Sequence, residues 1–393
     1  MKIVEHLGAA GSDVALFAPS RKLNDAIARL LRDSPGKRAK SVATRLSRGK
    51  APTGVEVVPV TGALEARRLV GLVATRQGWG QAISFDLLKQ EFDRRVAASH
   101  SAASGIFIGM PGASLQSFRA TAPGTLRVLH EVDAPPHAHN RALLQHYRAA
   151  DLSRELLPER VAKYIEQEIA ESDVVLSPSS LVTAQLREFH ANVRVLQVPY
   201  GVDFDKFRPV RVKDSPTAAE RSRPTLIYVG QISRRKGIPF LLDAIEGTGL
   251  KLDLVGPIVE PGLLARLPSE ARYLGTLPHD ALRDRLAAAD AFVFPSIEDN
   301  FGLAVAEAVA SGLPVIATAD IGAVEVIPMQ DVTIVPAGDA SSLRAAMESV
   351  HPQSLHERAE RAERARGENS AILSWPEYVE RVKTGLEEYY VQQ

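Results

Sequence analysis

The run Phe294-Pro-Ser-Ile-Glu-Asp-Asn-Phe-Gly-Leu-Ala-Val-Ala-Glu307 is the densest concentration of chemically useful residues in the chain. An apolar segment ends at Pro295, a polar loop carries Asp299, Asn300 and Gly302, and a helix is expected from Leu303. Strand, glycine loop and helix in this order present unbonded backbone N–H groups to a phosphate, with the helix dipole in support. Glu307 stands among Leu303, Ala304, Val305, Ala306, Ala308, Val309 and Ala310. A helix apolar on every side is buried, and a buried carboxylate needs a partner. Sugar or ribose hydroxyls would serve; so would a structural Arg or Lys.

A second candidate is Val229-Gly-Gln-Ile-Ser-Arg-Arg-Lys236-Gly237. Gly230 lies where a strand gives way to a turn and allows close backbone approach. Arg235 and Lys236 would stand at the mouth of a cleft, where two cations could neutralise a diphosphate and stabilise it as a leaving group. A plain basic turn is the alternative. Val255-Gly256-Pro257 and Gly275-Thr-Leu277-Pro-His279 each put glycine at a strand's C-terminal end, where open α/β sheets bind ligands. They are candidate walls around a base, or ordinary turns.

In the first half His130 closes an apolar strand, and Glu131 or Asp133 could reach a cleft with it. His137 and His139 read as satisfied core or surface histidines. Gly8-Ala-Ala-Gly11-Ser12 is a short loop that could line the same cleft. A dinucleotide glycine fingerprint, a Walker A lysine, H-E-x-x-H and G-x-S-x-G are all missing, which argues against the chemistries they serve.

The elements that must position these residues follow an alternation of short apolar strands and helices, which implies parallel sheets with crossover helices. Strands are expected at Met1–Glu5, Val55–Val60, Gly105–Gly109, Leu126–Val132, Asp173–Ser177 and Val193–Val198, with a helix at Arg160–Glu171. The stretch from Phe207 to Pro224 is polar and reads as an interdomain linker. Beyond it, strands are expected at Thr225–Val229, Leu252–Val255, Tyr273–Leu274, Ala291–Pro295, Pro314–Ala317 and Val332–Val335. Helices are expected at Ile238–Glu246, His279–Ala289, Leu303–Ser311 and Ala340–Val350. The expected division is 1–206 and 207–373. A last helix over 374–393, started by a capping box at Ser374 and Glu377, would pack back on the first domain.

With 393 residues the chain has room for two to three domains. It contains no cysteine, which excludes disulfides, thiolate metal sites and a cysteine nucleophile, and fits a reducing cytoplasm. The 47 basic and 47 acidic residues balance, so overall charge favours no nucleic acid or other single partner. Between Arg21 and Lys50, however, ten Lys/Arg face two Asp. That is either a solvated helix face or a surface for anionic lipid or a phosphorylated acceptor. No apolar run approaches the ~20 residues that span a bilayer.

From about Asp173 to its end the chain resembles glycosyltransferase family 4, the retaining GT-B enzymes. The resemblance rests on VPYGVDFDKFRP, VGQISRRKG, LVGP, YLGTLPHDAL, FVFPSIEDNFGLAVAEAVASGLPVIAT and SWPEYVERV, in this order. It implies two Rossmann-like α/β domains facing across a cleft, the first for the acceptor and the second for a UDP- or GDP-type sugar donor. The family's E-x7-E motif falls on Asp299 and Glu307, so Glu307 would bind donor ribose and Asp299 the transferred sugar. The first of these is one methylene short of the family's Glu, and Glu298 adjoins it. Lys236 matches the family's lysine, while Gln231 replaces its arginine and Arg235 would supply that charge. Phe301, Gly302 and Leu303 match the loop whose amides hold the diphosphate, and His130 the strand-end histidine on the sugar. The implied reaction retains anomeric configuration, with the leaving diphosphate taking the acceptor's proton and no metal required. The acceptor would be a glycan, a lipid-linked sugar or a small molecule, met in the cytoplasm or at the inner face of a membrane. A GT-B epimerase and a non-catalytic nucleotide-sugar-binding scaffold are the alternatives; the Asp299 departure is the scaffold's support.

Overall fold

The computed structural model describes residues 14–18, 55–59, 85–99, 105–210 and 223–392. The expected strand at Met1–Glu5, the Gly11–Ser12 loop, the Arg21–Lys50 stretch and most of the linker lie outside them. Grouped by contacts, the chain forms one unit of Met1–His130, Lys163–Val175 and Lys383–Gln393, and a second of Glu131–Ala162 and Leu176–Val382. This grouping runs along other lines than a division at 206/207.

The second unit is built on six parallel strands: β7 (Thr225–Val229), β8 (Lys251–Val255), β9 (Ala271–Gly275), β10 (Ala291–Phe294), β11 (Val315–Thr318) and β12 (Val332–Val335). Their order is β12-β11-β10-β7-β8-β9. β10 and β11 are buried at every residue, as strands covered on both faces must be, and so read as apolar runs interrupted only by Thr318 at the end of β11. Tyr228 of β7 stacks on Phe294 of β10 at 5.7 Å, and Phe294 on Phe292 at 5.9 Å. The crossover helices are α6 (Ile238–Ile245), α7 (His279–Ala288), α8 (Leu303–Ala310) and α9 (Ala340–Glu348). The strands and crossover helices expected in this half agree with these positions to within two residues; the helix at Leu355–Leu373 is not among them.

Two helices close the chain, α10 (Leu355–Leu373) and α11 (Trp375–Val391). A full capping box starts α10 at Ser354 and Glu357; at α11 the Ser374 hydroxyl accepts the Glu377 N–H at 3.3 Å. Arg358 of α10 is buried and donates to the carbonyls of Leu286 at 3.0 Å, Ser311 at 2.9 Å and Ala287. One guanidinium thus satisfies orphan carbonyls at the C-terminal ends of both α7 and α8.

The earlier elements are α1 (Phe85–Ser99), β3 (Ile106–Gly109), α2 (Leu115–Ala120), β4 (Leu126–His130), α3 (Pro136–His146), α4 (Glu159–Glu171), β5 (Val174–Ser177), α5 (Ser180–Phe189) and β6 (Val195–Gln197). β3 to β6 form a sheet in chain order, and a separate parallel pair joins β1 (Val14–Ala18) to β2 (Val55–Pro59). In the first unit Glu168 accepts N–H bonds from Gly112 (2.6 Å), Ser114 (2.7 Å) and Leu115 (3.2 Å). Asp93 takes those of Gln116 (2.7 Å) and Ser117 (2.9 Å). Both carboxylates are fully buried, and both occupy the unpaired amides that open α2. In the second unit α3 and the short helical turn after it contribute Leu143 and Leu152, which pack with Ile297.

Candidate functional site

In the six-stranded sheet the chain runs outward from β7 to β8 and β9, then returns to place β10 on the other side of β7. Open parallel sheets bind ligands at such a reversal, outside the C-terminal ends of the two adjacent strands. Those ends carry the two motif loops: residues 230–237 after β7 and 295–302 after β10. Among the bonds that join the loops, Ile297 N–H donates to the Arg235 carbonyl at 2.9 Å and the Ser296 hydroxyl to the same oxygen at 3.3 Å.

The first loop is shaped by carboxylate and phenol. Glu155 accepts the N–H groups of Arg234 (2.7 Å) and Arg235 (2.8 Å), and the Tyr147 hydroxyl donates to the Arg234 carbonyl at 2.9 Å. Lys236 is buried rather than open at the mouth of the site. Its ammonium donates to Asp299 at 2.6 Å and to the Glu298 carbonyl at 3.3 Å, and lies 5.7 Å above the Phe294 ring. Burial pulls the lysine's pKa below its ordinary value despite the carboxylate beside it. The Arg235 guanidinium is held loosely, 3.5 Å from Glu298 and 3.5 Å from the Gln231 side-chain oxygen. Arg235 therefore reaches the side chain whose missing charge it was expected to replace.

Glu298 is buried, which raises its pKa, but the His139 hydrogen bond and the charges of Arg235 and Lys236 prevail and hold it at about 2. His139 Nδ1 lies 2.9 Å from the Glu298 carboxylate, and its Nε2 lies 2.9 Å from the Glu155 carbonyl oxygen. It is a satisfied, buried histidine, as expected, but what satisfies it is the loop after β10. His137 packs against Phe189, ring centroids 5.5 Å apart.

The second loop ends at Gly302, whose φ of +78° caps α8. A side chain there is excluded twice, by the left-handed backbone and because a Cβ would lie 2.6 Å from Ile321. Among the described residues, no acceptor takes the N–H groups of Gly302 and Leu303. One turn on, burial pushes the Glu307 carboxyl up to about 7, with Lys206 opposing. Among the described residues that carboxylate has no hydrogen bond and no ion pair, so the structural Arg or Lys partner is not there. Asn300 is buried with its side-chain oxygen likewise unmatched, while its backbone carbonyl accepts the Ser179 hydroxyl at 2.8 Å. Phe301 is buried beneath Tyr200, with centroids 5.3 Å apart.

Gly230 and Gly256 meet each other: a Cβ on Gly256, at φ +140°, would collide with the Gly230 carbonyl. Their close approach is between adjacent strand ends. Gly275 closes β9, and Leu277 is half-buried against the core. Asp133 is exposed, near enough to help raise the Arg235 pKa. His130 ends β4 in the first unit, where burial pushes its imidazole down to about 4 and keeps it neutral at physiological pH. Glu155 and the buried role of Glu298 had no signal in the sequence, because their partners are distant along the chain. Among the described residues, no three His, Asp or Glu could hold a metal ion, and no helix is long and apolar enough to cross a membrane.

Residues 223–351 match the family described as Glycosyl transferases group 1. The chain is 30% identical over 225 residues to a D-inositol 3-phosphate glycosyltransferase of Xylanimonas cellulosilytica, covering 50% of this chain and 53% of that one. It is 28% identical over 158 residues to a GDP-mannose-dependent alpha-mannosyltransferase of Corynebacterium glutamicum, covering 39% and 37%. The chain thus spans about half the length of the first relative and less of the second. A sucrose-phosphate synthase from Thermosynechococcus elongatus has the same fold, with a TM-score of 0.69 at 20% identity over 100% of this chain and 92% of that one. The fold is GT-B, and the chain is similar to family 4-like glycosyltransferases.

Proposed function

We propose that this chain, group 1 glycosyl transferase-like over residues 223–351, moves a glycosyl unit from a nucleoside-diphosphate sugar to a hydroxyl acceptor. One observation carries the reading. At the reversal point of the six-stranded sheet, an unpaired Glu307 carboxylate stands one turn beyond two unbonded amides, those of Gly302 and Leu303. Amides and helix dipole suit a diphosphate, and a desolvated carboxylate without a partner suits ribose hydroxyls.

In this reading Arg235 and Lys236 share the diphosphate charge, Asn300 and Phe301 shape the loop, and Gly230, Gly256 and Leu277 border the base. Asp299, held by Lys236, meets the transferred sugar. His130 and Asp133 serve the acceptor side, with residues 1–206 as acceptor domain and 207–373 as donor domain. Transfer proceeds with retention: the acceptor's hydroxyl oxygen attacks the anomeric carbon on the face the diphosphate leaves, the bond from that carbon to the phosphate oxygen breaks, and the departing phosphate oxygen takes the hydroxyl proton. Precharged groups at the leaving oxygen stabilise the transition state without reorganising. UDP and GDP are the nucleotides proposed; the mannosyltransferase relative is named for GDP-mannose. A cytoplasmic site of action, with the Arg21–Lys50 stretch meeting an anionic membrane or a phosphorylated acceptor, belongs to the same proposal.

The test is calorimetry with UDP-, GDP-, ADP- and TDP-sugars on the wild type and Glu307→Ala. Binding of one nucleotide class, lost in the variant, supports the reading. No binding to folded protein sinks it. A second reading, a binding scaffold without catalysis, draws on the Asp299 carboxylate being tied to Lys236 at 2.6 Å. Donor binding without transfer or hydrolysis favours it.

A further inference from the structure

Both ring nitrogens of His139 face atoms that only accept. The Glu155 carbonyl has no proton to give, and neither has an ionised Glu298 carboxylate. Each nitrogen must therefore carry hydrogen, and the ring is an imidazolium. Burial lowers its pKa, but the Glu298 hydrogen bond and charge, with the Glu155 carbonyl, outweigh burial and raise it above the ordinary value.

This charge matters because of its neighbours. Glu298 and Arg235 face the ring; Lys236 and Asp299 lie one ion pair further out, and the Glu155 carboxylate is turned to the Arg234 and Arg235 amides. His139, Arg235 and Lys236 are the cations here against the carboxylates of Glu298, Asp299 and Glu155, with Asp133 acting on Arg235 and Asp320 on Glu298 from further off. Removing the imidazolium charge makes this cluster more negative by one charge where a diphosphate is proposed to bind. It also leaves Glu298 with Arg235 as its nearest cation, and the present 3.5 Å contact between them has room to shorten.

We infer that His139 is a positioning residue: its imidazolium holds the Glu298 carboxylate and so leaves the Arg235 guanidinium available to an anionic diphosphate. The inference rests on the donor-site reading given above. It adds an element from α3, outside the two motif loops, to the charge design of the site. It also gives that site a dependence on pH: diphosphate affinity is full while the ring is charged and falls as pH rises through its pKa.

The experiment uses the full chain. Nitrogen-15 spectra of labelled histidine report the His139 ring directly, without any ligand. Calorimetry with UDP and GDP, between about pH 7.5 and about pH 8.5, above the terminal phosphate's titration and below that of the uracil and guanine N–H groups, compares wild type, His139→Gln and the double variant His139→Gln/Glu298→Gln. Expected are two protonated ring nitrogens at neutral pH and about tenfold weaker binding in His139→Gln. The wild type should approach that weaker value as pH rises, while His139→Gln shows no such limb. The double variant should recover most of the loss, because no carboxylate then competes for Arg235; a merely structural role would make it worse. A neutral ring at neutral pH, wild-type affinity in His139→Gln, or no recovery in the double variant overturns the inference. Should His139→Gln fail to fold, the wild-type spectrum and pH series decide. If neither nucleotide binds the wild type, the donor-site reading fails, and the spectrum still decides the charge on His139.

Discussion

Lys236 and Asp299 form a 2.6 Å ion pair that spans the loops leaving β7 and β10. Among the described residues, the pair is the shorter of two ion pairs between the strand ends where the sheet order reverses, Arg235 and Glu298 at 3.5 Å being the other. The lysine's charge leans on the carboxylate, since burial alone would drive the ammonium toward its neutral form.

Replacing Asp299 with Ala should therefore be costly. It strands a buried ammonium whose remaining acceptor is the Glu298 carbonyl at 3.3 Å. A loss of roughly 3 kcal/mol is expected in urea unfolding at neutral pH. A loss below about 0.5 kcal/mol would show the pair to be solvated and slack.

Glu307 should give the opposite sign. Its folded pKa, raised to about 7, exceeds its unfolded value, so the ionised group destabilises the folded state as pH climbs from the ordinary carboxyl range to 7. Glu307→Gln should stabilise the ligand-free protein at pH 8 by on the order of 1 kcal/mol, after allowance for partial exposure. Near pH 4 the two should be equal. Equal stability at both pH values would mean that the carboxylate is well solvated. The same variant should lose nucleotide binding, separating the group's cost from its use.

Gly302→Ala should disturb the loop and not only the fold. It meets a left-handed φ of +78° and Ile321 at 2.6 Å. A loss of about 2 kcal/mol is expected in thermal unfolding, together with weaker nucleotide binding. Unchanged values for both would remove Gly302 from the argument.

Arg358→Met should act far from the site. It leaves the carbonyls of Ala287 and Ser311 without the donor they have, while Leu286 keeps the Ala289 N–H at 3.3 Å. Unfolding should become easier by about 2 to 4 kcal/mol, while the nucleotide dissociation constant of the folded protein stays the same. A changed dissociation constant with unchanged stability would contradict this assignment.

The second half was legible because its strands obey one simple constraint. β10 and β11 are covered on both faces, so each is apolar but for Thr318, and a proline adjoins each run. The site loops were legible for the same reason, lying where those runs stop. Helices buried through polar groups were not. α1 turns Leu88, Asp93 and Val96 inward, and the fully buried carboxylate breaks the apolar period that would betray a helix. α10 likewise buries Arg358 to cap other helices, a use no local pattern announces. His139 and Glu298 are 159 positions apart, and nothing near either names the other. The resemblance pointed to the two motif loops but was silent about the clamp that α3 puts on them.

The contact grouping sets an order on synthesis. Glu131–Ala162 belongs with a sheet whose first strand is made some sixty residues later, at Thr225. The first unit in turn includes Lys383–Gln393, made long after the rest of it. Neither unit is a continuous length of chain, so neither can be finished while its own sequence is being read out. The usual economy of folding one domain before the next is made is denied to this protein. The clamp of α3 waits for the loop it holds, since Glu298 is made 159 residues after His139.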